Sequence, residues 1–205
     1  MGYFLTSMHL GFRCWSDSDL PLAMELWGDP KVGVLIGGPF NSQMVRSRLT
    51  SEIAHFQDYG LQYWPLFLLE NDTHVGCAGL RLYKAEQRIY EFGVHLRPAF
   101  WKRGFAKEAA KVIIEYGFEV LGAETLFAGH HPANNASRRL LLSLGFVHSH
   151  KELYRPTGLM HPSYMLRKPH MDEVRPPPVP PVGFTENPDQ IASGGSRGDS
   201  SQSFA

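Results

Sequence analysis

Between Leu10 and Lys168 the apolar residues recur at two alternating periods, those of strand and helix, with turn residues between the segments. Leu10 to Trp15 reads as a short strand. Ser16-Asp17-Ser18-Asp19 then supplies N-cap residues for a helix through Pro21, Leu22, Leu26 and Trp27, which Asp29-Pro30 stops. Ser42 to Tyr59 holds a second helical stretch, with Val45, Leu49, Ile53 and Phe56 at helical spacing. Tyr63 to Glu70 and Val75 to Tyr83 read as two strands about an Asn71-Asp72 turn. Gln87 to Leu96 is a third strand. Its alternation points Tyr90, Phe92, Val94 and Leu96 one way, and Glu91, Gly93 and His95 the other.

Arg97-Pro98 ends that strand, and Arg103-Gly104 opens the most regular helix of the chain. Ala106, Ala109, Ala110, Ile113, Gly117, Phe118 and Leu121 form its apolar stripe, and Gly122 suits its C-terminal end. A strand at Thr125 to Gly129 and a loop at His130 to Asn134 lead to a helix carrying Ala136, Leu140, Leu141 and Leu144. Gly145 ends it. Val147 to Tyr154 and Ser163 to Lys168 make a closing pair of strands, and the pattern is that of an α/β domain with a mixed sheet.

Composition changes sharply near Lys168. Clustered prolines and then a Gly/Ser/Asp stretch have too little apolar surface to offset the entropy of ordering. The expected organisation is therefore one domain over residues 1–168, its globular part beginning near Leu10, and a disordered Pro/Gly/Ser-rich tail over 169–205. Pro176 to Pro181 would be extended, and a proline-rich ligand for an aromatic groove is the alternative to a plain tail.

The 205 residues suit one domain with an appendage. Lys plus Arg equals Asp plus Glu at 20 each, so no net field marks a nucleic-acid or anionic-membrane partner. Cys14 and Cys77 belong to no CxxC pair, which removes the usual zinc-ribbon and redox signatures. The first ten residues lack a basic leader region, and no apolar run reaches the length of a membrane span. A soluble, cytoplasmic protein with two reduced thiols is expected.

The strongest chemical signal is Trp101-Lys102-Arg103-Gly104-Phe105-Ala106-Lys107 at a helix start. Unpaired amides and the helix dipole favour an anion there. Gly104 lets backbone approach a ligand, Ala106 keeps the next turn low, and Lys102, Arg103 and Lys107 add positive charge that would otherwise oppose the dipole. Neither GxxxxGK[ST] nor GxGxxG occurs, so a nucleotide hydrolase or a dehydrogenase is disfavoured.

Three segments in order carry a resemblance. Trp101 to Ala106 matches a [QR]xxGx[GA] phosphate loop with Trp in first place. Asn134 to Phe146, NNASRRLLLSLGF, is similar to an N-x-A-S…L-G-F segment, and Glu25 to Val32 to an opening helix. The chain thus resembles the GNAT superfamily of N-acetyltransferases, in particular its RimJ/RimL-type branch. The resemblance implies the GNAT fold: a central, mostly antiparallel mixed sheet flanked by helices, whose middle strands splay apart at a bulge to admit the pantetheine arm of acetyl-CoA. It carries over the backbone of Val94, His95 and Leu96 to the pantetheine and thioester. The amides of Lys102, Arg103, Gly104, Phe105, Ala106 and Lys107 go to the pyrophosphate, and Asn134 to the cofactor arm. The implied activity is transfer of an acetyl group from acetyl-CoA to a primary amine, either a peptide or protein N-terminal α-amine or a small molecule, without a metal. A homodimer is a further expectation, although no residue marks an interface.

Such transfer needs a base for the amine, N–H donors for the oxyanion and a proton for the thiolate. Glu91 is the first candidate base and His95, on the same face, the second; Glu91 as a mere solvated or salt-bridged carboxylate is the competing reading. The amide of Leu96 or Val94 would serve the oxyanion. Many relatives carry a tyrosine seven residues after the asparagine, but Leu141 stands here. The related branch uses a serine three residues on, which is Ser137, unless that hydroxyl only caps the helix. Tyr154 is a reserve acid. His130-His131 and His148-x-His150 read as surface histidines rather than a metal site, the latter two on one strand face. Trp15, Trp27, Trp64 and Trp101 read as packing residues, with Trp64 also able to line the acceptor pocket. That pocket would depend on Pro30 to Asn41 and on a loop from Arg155 to Pro162. The alternative function is a non-catalytic acyl-CoA sensor or partner-docking module.

Overall fold

The computed structural model describes residues 2–168, so the tail expected from Pro169 lies outside the described residues. The strands are β1 (Leu5–Thr6), β2 (Leu10–Phe12), β3 (Tyr63–Leu68), β4 (His74–Lys84), β5 (Ile89–Leu96), β6 (Thr125–Gly129), β7 (Val147–Tyr154) and β8 (Leu159–Arg167). Helices α1 (Leu20–Trp27), α2 (Pro30–Gly33), α3 (Ser42–Tyr59), α4 (Phe105–Glu115) and α5 (Asn135–Ser143) connect them. The sheet order is β1-β2-β3-β4-β5-β6-β8-β7, with every neighbour antiparallel except β5 and β6.

The alternation expected for β5 decides which face each residue serves. Phe92 and Leu96 join Trp64, Ala78, Leu80 and Leu126 beneath Ala109, Ala110 and Ile113 of α4. On the opposite face Tyr63 and Cys77 pack with Trp27 of α1 and with Val45 and Leu49 of α3. Each face of the sheet therefore has its own core. No helix among the described residues is long and apolar enough to cross a membrane.

Several local expectations shift. Pro30 stops α1 and also starts α2, where the Asp29 carboxylate accepts the Lys31 amide at 2.8 Å and proline's fixed φ suits a first turn. The buried residues of α3 are Val45, Leu49 and Glu52, Ile53 packs partly buried against the same core, and only Phe56 of the expected stripe is exposed. Ala136 of α5 is exposed, and Leu141 is the buried anchor. β8 starts at Leu159 rather than Ser163, because Tyr154 pairs with Leu159 and shortens the expected loop to a turn. Pro162 is tolerated in it. Its carbonyl accepts from His130 N–H just beyond the last β6 partner, Gly129, where a missing N–H breaks no ladder.

His74 is buried between Trp15 and Phe67, and its Nε2 lies 2.9 Å from the Gly76 carbonyl. Burial first, and then Arg97, push its pKa down from 6.5 to about 4. A folded value below the unfolded one means stability that is complete above pH 6.5 and lost as pH falls towards 4. The loss expected is on the order of 3 kcal/mol. Urea midpoints across pH 4–6.5 should fall steeply for the native chain and less for His74→Gln; parallel curves would assign the slope to other groups.

Candidate active site

β5 and β6 pair only at Ile89–Thr125, Tyr90–Leu126 and Glu91–Phe127. Beyond Glu91 each strand keeps its outer neighbour. β5 stays in register with β4 up to Leu96–Gly76, and β6 with β8 up to Gly129–Ser163. The middle of the sheet opens as a V. The expected bulge in β5 is not what opens it, since the β4–β5 register slips only near Leu82 and Lys84, at the far end. The two halves separate because each is committed to its own partner.

Arg97 N–H donates to the Val75 carbonyl at 2.9 Å. In an antiparallel ladder this fixes the alternation: His95 turns its backbone groups to β4, while Val94 and Leu96 turn theirs to the gap. A Cβ on Gly76 would sit 2.1 Å from the His95 carbonyl, which shows that carbonyl directed onto β4. The expectation of a backbone contact to cofactor therefore fails for His95, whose groups are already spent. Leu96 offers only its N–H, because its carbonyl accepts from the Trp101 indole at 2.7 Å. Trp101 thus ties the loop before α4 to the end of the splayed strand.

In that loop the N–H groups of Lys102, Arg103, Gly104, Phe105 and Ala106 donate to no described residue. Lys102 (φ 61°) and Gly104 (φ 87°) are both left-handed, a backbone that gathers successive amides into a concave nest. A Cβ on Gly104 would meet nothing within 4 Å, so the space above it is open. These residues can take an anion. Lys107 departs from the expectation, since its N–H donates to the Gly104 carbonyl at 3.0 Å and closes the first helical turn.

A cavity of about 130 Å³ crosses the sheet at the V. On the α5 side it is lined by Asn134, Ser137 and Leu141, and on the α1/α3 side by Glu91, Tyr63, Arg81, Arg48, Glu152 and Tyr154. The Asn134 side-chain oxygen accepts the Ser137 N–H at 3.0 Å, so Asn134 is the N-cap of α5. The Ser137 hydroxyl is left without a partner among the described residues. Glu91 likewise accepts no hydrogen bond from a described residue. Burial raises its pKa, Arg81 opposes the rise, and Glu152 adds to it.

Around Glu91 the other groups are mostly engaged. Arg81 pairs with the fully buried Glu52, which also accepts Tyr63 N–H at 2.9 Å. Glu152 accepts the Tyr83 hydroxyl at 2.9 Å. Gly93 admits the Tyr63 phenol, which a Cβ would meet at 2.3 Å. The Tyr154 hydroxyl donates to the Ile36 carbonyl at 3.4 Å, and its ring lies 4.6 Å from that of His161. His95 Nδ1 faces the Trp27 indole at 3.4 Å and the Cys77 thiol at 3.7 Å. Burial holds its pKa well below 6.5, which weakens it as a base.

A family model described as the acetyltransferase (GNAT) domain matches residues 9–147. The chain belongs to the GNAT acetyltransferase family. Among relatives, the uncharacterized N-acetyltransferase p20 of Bacillus licheniformis is 29% identical over 147 residues, covering 69% of this chain and 81% of that protein. The uncharacterized N-acetyltransferase YoaA of Bacillus subtilis is 32% identical over 83 residues, 40% of this chain, and the match spans about half of that protein, 47%. A GNAT-family acetyltransferase from Bacillus anthracis shares the fold at TM-score 0.69 and 22% identity, over 80% of this chain and 97% of that one. RimL, a ribosomal L7/L12 alpha-N-protein acetyltransferase, shares it in a complex with coenzyme A at TM-score 0.69 and 12% identity, over 81% and 98%.

For this GNAT domain several readings of single residues need correction. His130 is buried and stacked on Tyr164, with Nδ1 2.8 Å from the His131 carbonyl, so it is no surface histidine. A bulge leaves Ser149 unpaired, with His148 opposite Tyr164 and His150 opposite Ser163, so the two histidines face opposite sides. Trp64 lies in the α4-side core beside Tyr116, across the sheet from the acceptor side. Arg48, Glu52, Tyr63, Arg81 and Glu152 line or brace the cavity and escaped the sequence reading. The charges at Arg48 and Glu52 on the apolar stripe of α3 were the available signal.

Gly104→Asp would put a carboxylate over the open nest and a Cβ on a left-handed residue. Affinity for coenzyme A, measured by calorimetry, should fall by more than about a hundredfold, while Gly104→Ala, which adds only the backbone strain of roughly 1 kcal/mol, falls far less. Equal affinities for Gly104→Asp and the native chain would remove the loop from the binding site.

Proposed function

We propose that this GNAT acetyltransferase moves an acetyl group from acetyl-CoA directly to a primary amine. The observation that carries the reading is the cavity through the V, which joins the face bearing the amide nest to the face bearing Glu91. Acetyl-CoA supplies an activated acyl thioester. The nest from Lys102 to Ala106 holds its pyrophosphate, and the gap-facing groups of Val94 and Leu96, with the free amide end of Asn134, position the arm. The N–H of Leu96 or that of Val94 donates to the acyl oxygen, since a two-residue strand spacing keeps both from reaching one atom. Glu91 Oε takes the proton from the incoming ammonium, and the Ser137 hydroxyl gives one on the leaving side, with Tyr154 in reserve. The name of the fold neighbour RimL favours a peptide or protein N-terminal α-amine over a small amine as acceptor. Two unpaired thiols, Cys14 and Cys77, are consistent with a cytoplasmic setting.

Calorimetric titration with acetyl-CoA, followed by thiol-release assays over amines and N-terminal peptides, tests this reading. Binding with release supports it; binding without release on every acceptor would favour a sensor, and no binding would defeat both. Ser137→Ala should lower kcat with little change in acetyl-CoA affinity, and full activity would reduce that hydroxyl to packing.

Glu91→Gln should cost roughly a hundredfold in kcat/KM. A base works only deprotonated, and burial raises the Glu91 pKa. Activity should therefore fall on acidification at a pH above the ordinary carboxylate range, and Glu91→Gln should lack that limb. An acid limb that survives the substitution would assign the base elsewhere.

A further inference from the structure

Of the charged side chains that line the acceptor half of the cavity, all but two have a polar partner. Arg81 has Glu52, and Glu152 has the Tyr83 hydroxyl. Glu91 is the proposed base. Arg48 is the remaining one. It projects from α3, on the face opposite the amide nest, into the same cavity. No carboxylate among the described residues forms an ion pair with it, and its Nε is buried without a hydrogen-bond partner. The guanidinium lies instead 4.8 Å from the centre of the Trp27 ring and 5.9 Å from that of Phe40.

An unpaired cation in a half-buried site is costly unless something answers its charge. Aromatic faces answer part of it and also fix the plane of the fork, leaving its N–H groups directed rather than swinging. Arg48 lines the same cavity as Glu91. The field of Arg48 acts on Glu91, His95, Tyr63 and Tyr154, which surround the V. A planar, pre-oriented guanidinium is suited to a carboxylate, which it can grip with two parallel hydrogen bonds.

We infer that Arg48 is the acceptor's anion site: the amine that reaches Glu91 belongs to a molecule carrying a carboxylate close to that amine. The inference rests on the acetyltransferase reading and narrows its substrate class. The carboxylate has two sources, the α-carboxylate of a free amino acid or an acidic side chain at a peptide N-terminus. Polyamine acceptors, which offer only further positive charge, would meet Arg48 as a repulsion.

The test is calorimetric titration into protein saturated with coenzyme A, which needs no turnover. The first pair of probes is alanine and alaninamide, and the second is the peptide amides Asp-Ala-Ala and Asn-Ala-Ala. The charged member of at least one pair should bind roughly tenfold or more tightly, the range of a hydrogen bond to a charged group. A preference within the first pair places the carboxylate on a free amino acid, and within the second on a peptide side chain. In Arg48→Gln that preference should collapse to near unity, and Arg48→Lys should keep part of it.

Equal binding within both pairs, no binding of either charged probe, or a preference that survives Arg48→Gln would overturn the inference. The comparison in the native chain stands even if a variant fails to fold. Thiol release from acetyl-CoA with the same four probes is scored separately. An Arg48-dependent carboxylate preference without any release would retain the anion site and discard the transfer reaction.

Discussion

The short parallel contact between β5 and β6 is the constraint from which the rest of the site follows. Three residue pairs join the two halves of the sheet, and past Glu91 and Phe127 neither strand has a partner on its inner side. A buried sheet does not leave such groups open without cost, at roughly 1–3 kcal/mol for each unpaired donor or acceptor. Here one of them is answered from within, by the Trp101 indole on the Leu96 carbonyl. The N–H of Leu96 and both groups of Val94 remain directed at the gap. The backbone is thus set up as half of a ladder, and an extended chain with amides of its own is the shape that completes it.

Because the opening passes through the sheet, its two mouths can carry different electrostatics. One mouth has Asn134 and Ser137 at the start of α5; the other has Glu91, Glu152 and the Arg81–Glu52 pair. The same burial that separates the mouths sets the state of the groups between them. It raises the Glu91 carboxyl and keeps His95 neutral, so two residues on one strand face are driven to opposite kinds of readiness. Glu91 gains basicity while His95 loses it, although in water the imidazole would be the better base.

Periodicity carried much of this fold into view. The bounds of α3, the parity of β5 and the glycine start of α4 all follow from local patterns that a one-dimensional reading registers. The positions it missed depend on neighbours distant in the chain. Which backbone groups of β5 are free depends on β4, so a set of three consecutive residues becomes two. Whether the Lys107 amide is free depends on how the first turn of α4 closes. The inserted residue at Ser149 reverses a face assignment that strict alternation would support, and β8 begins early because β7 is there to pair with it. Arg48 and Glu52 were visible as charges on an apolar stripe, but Tyr63 and Arg81 were not legible as cavity residues until β3 and β4 were laid beside β5.

Asn134 and Ser137 show how a capping role can leave polar groups free for the chemistry proposed above. A serine in the first turn of a helix competes for the cap, and a capped hydroxyl is poorly available to a ligand. In α5 the competition is settled by Asn134, whose oxygen takes the Ser137 amide and so performs the cap. That leaves the amide end of Asn134 and the hydroxyl of Ser137, both at the cavity and both at the positive end of the α5 dipole. Negative charge arriving there is stabilised by the helix terminus before any proton moves. If the Ser137 hydroxyl is the donor, as proposed, it has less to supply there than a tyrosine on a neutral surface would, and the buried Leu141 is left to the core.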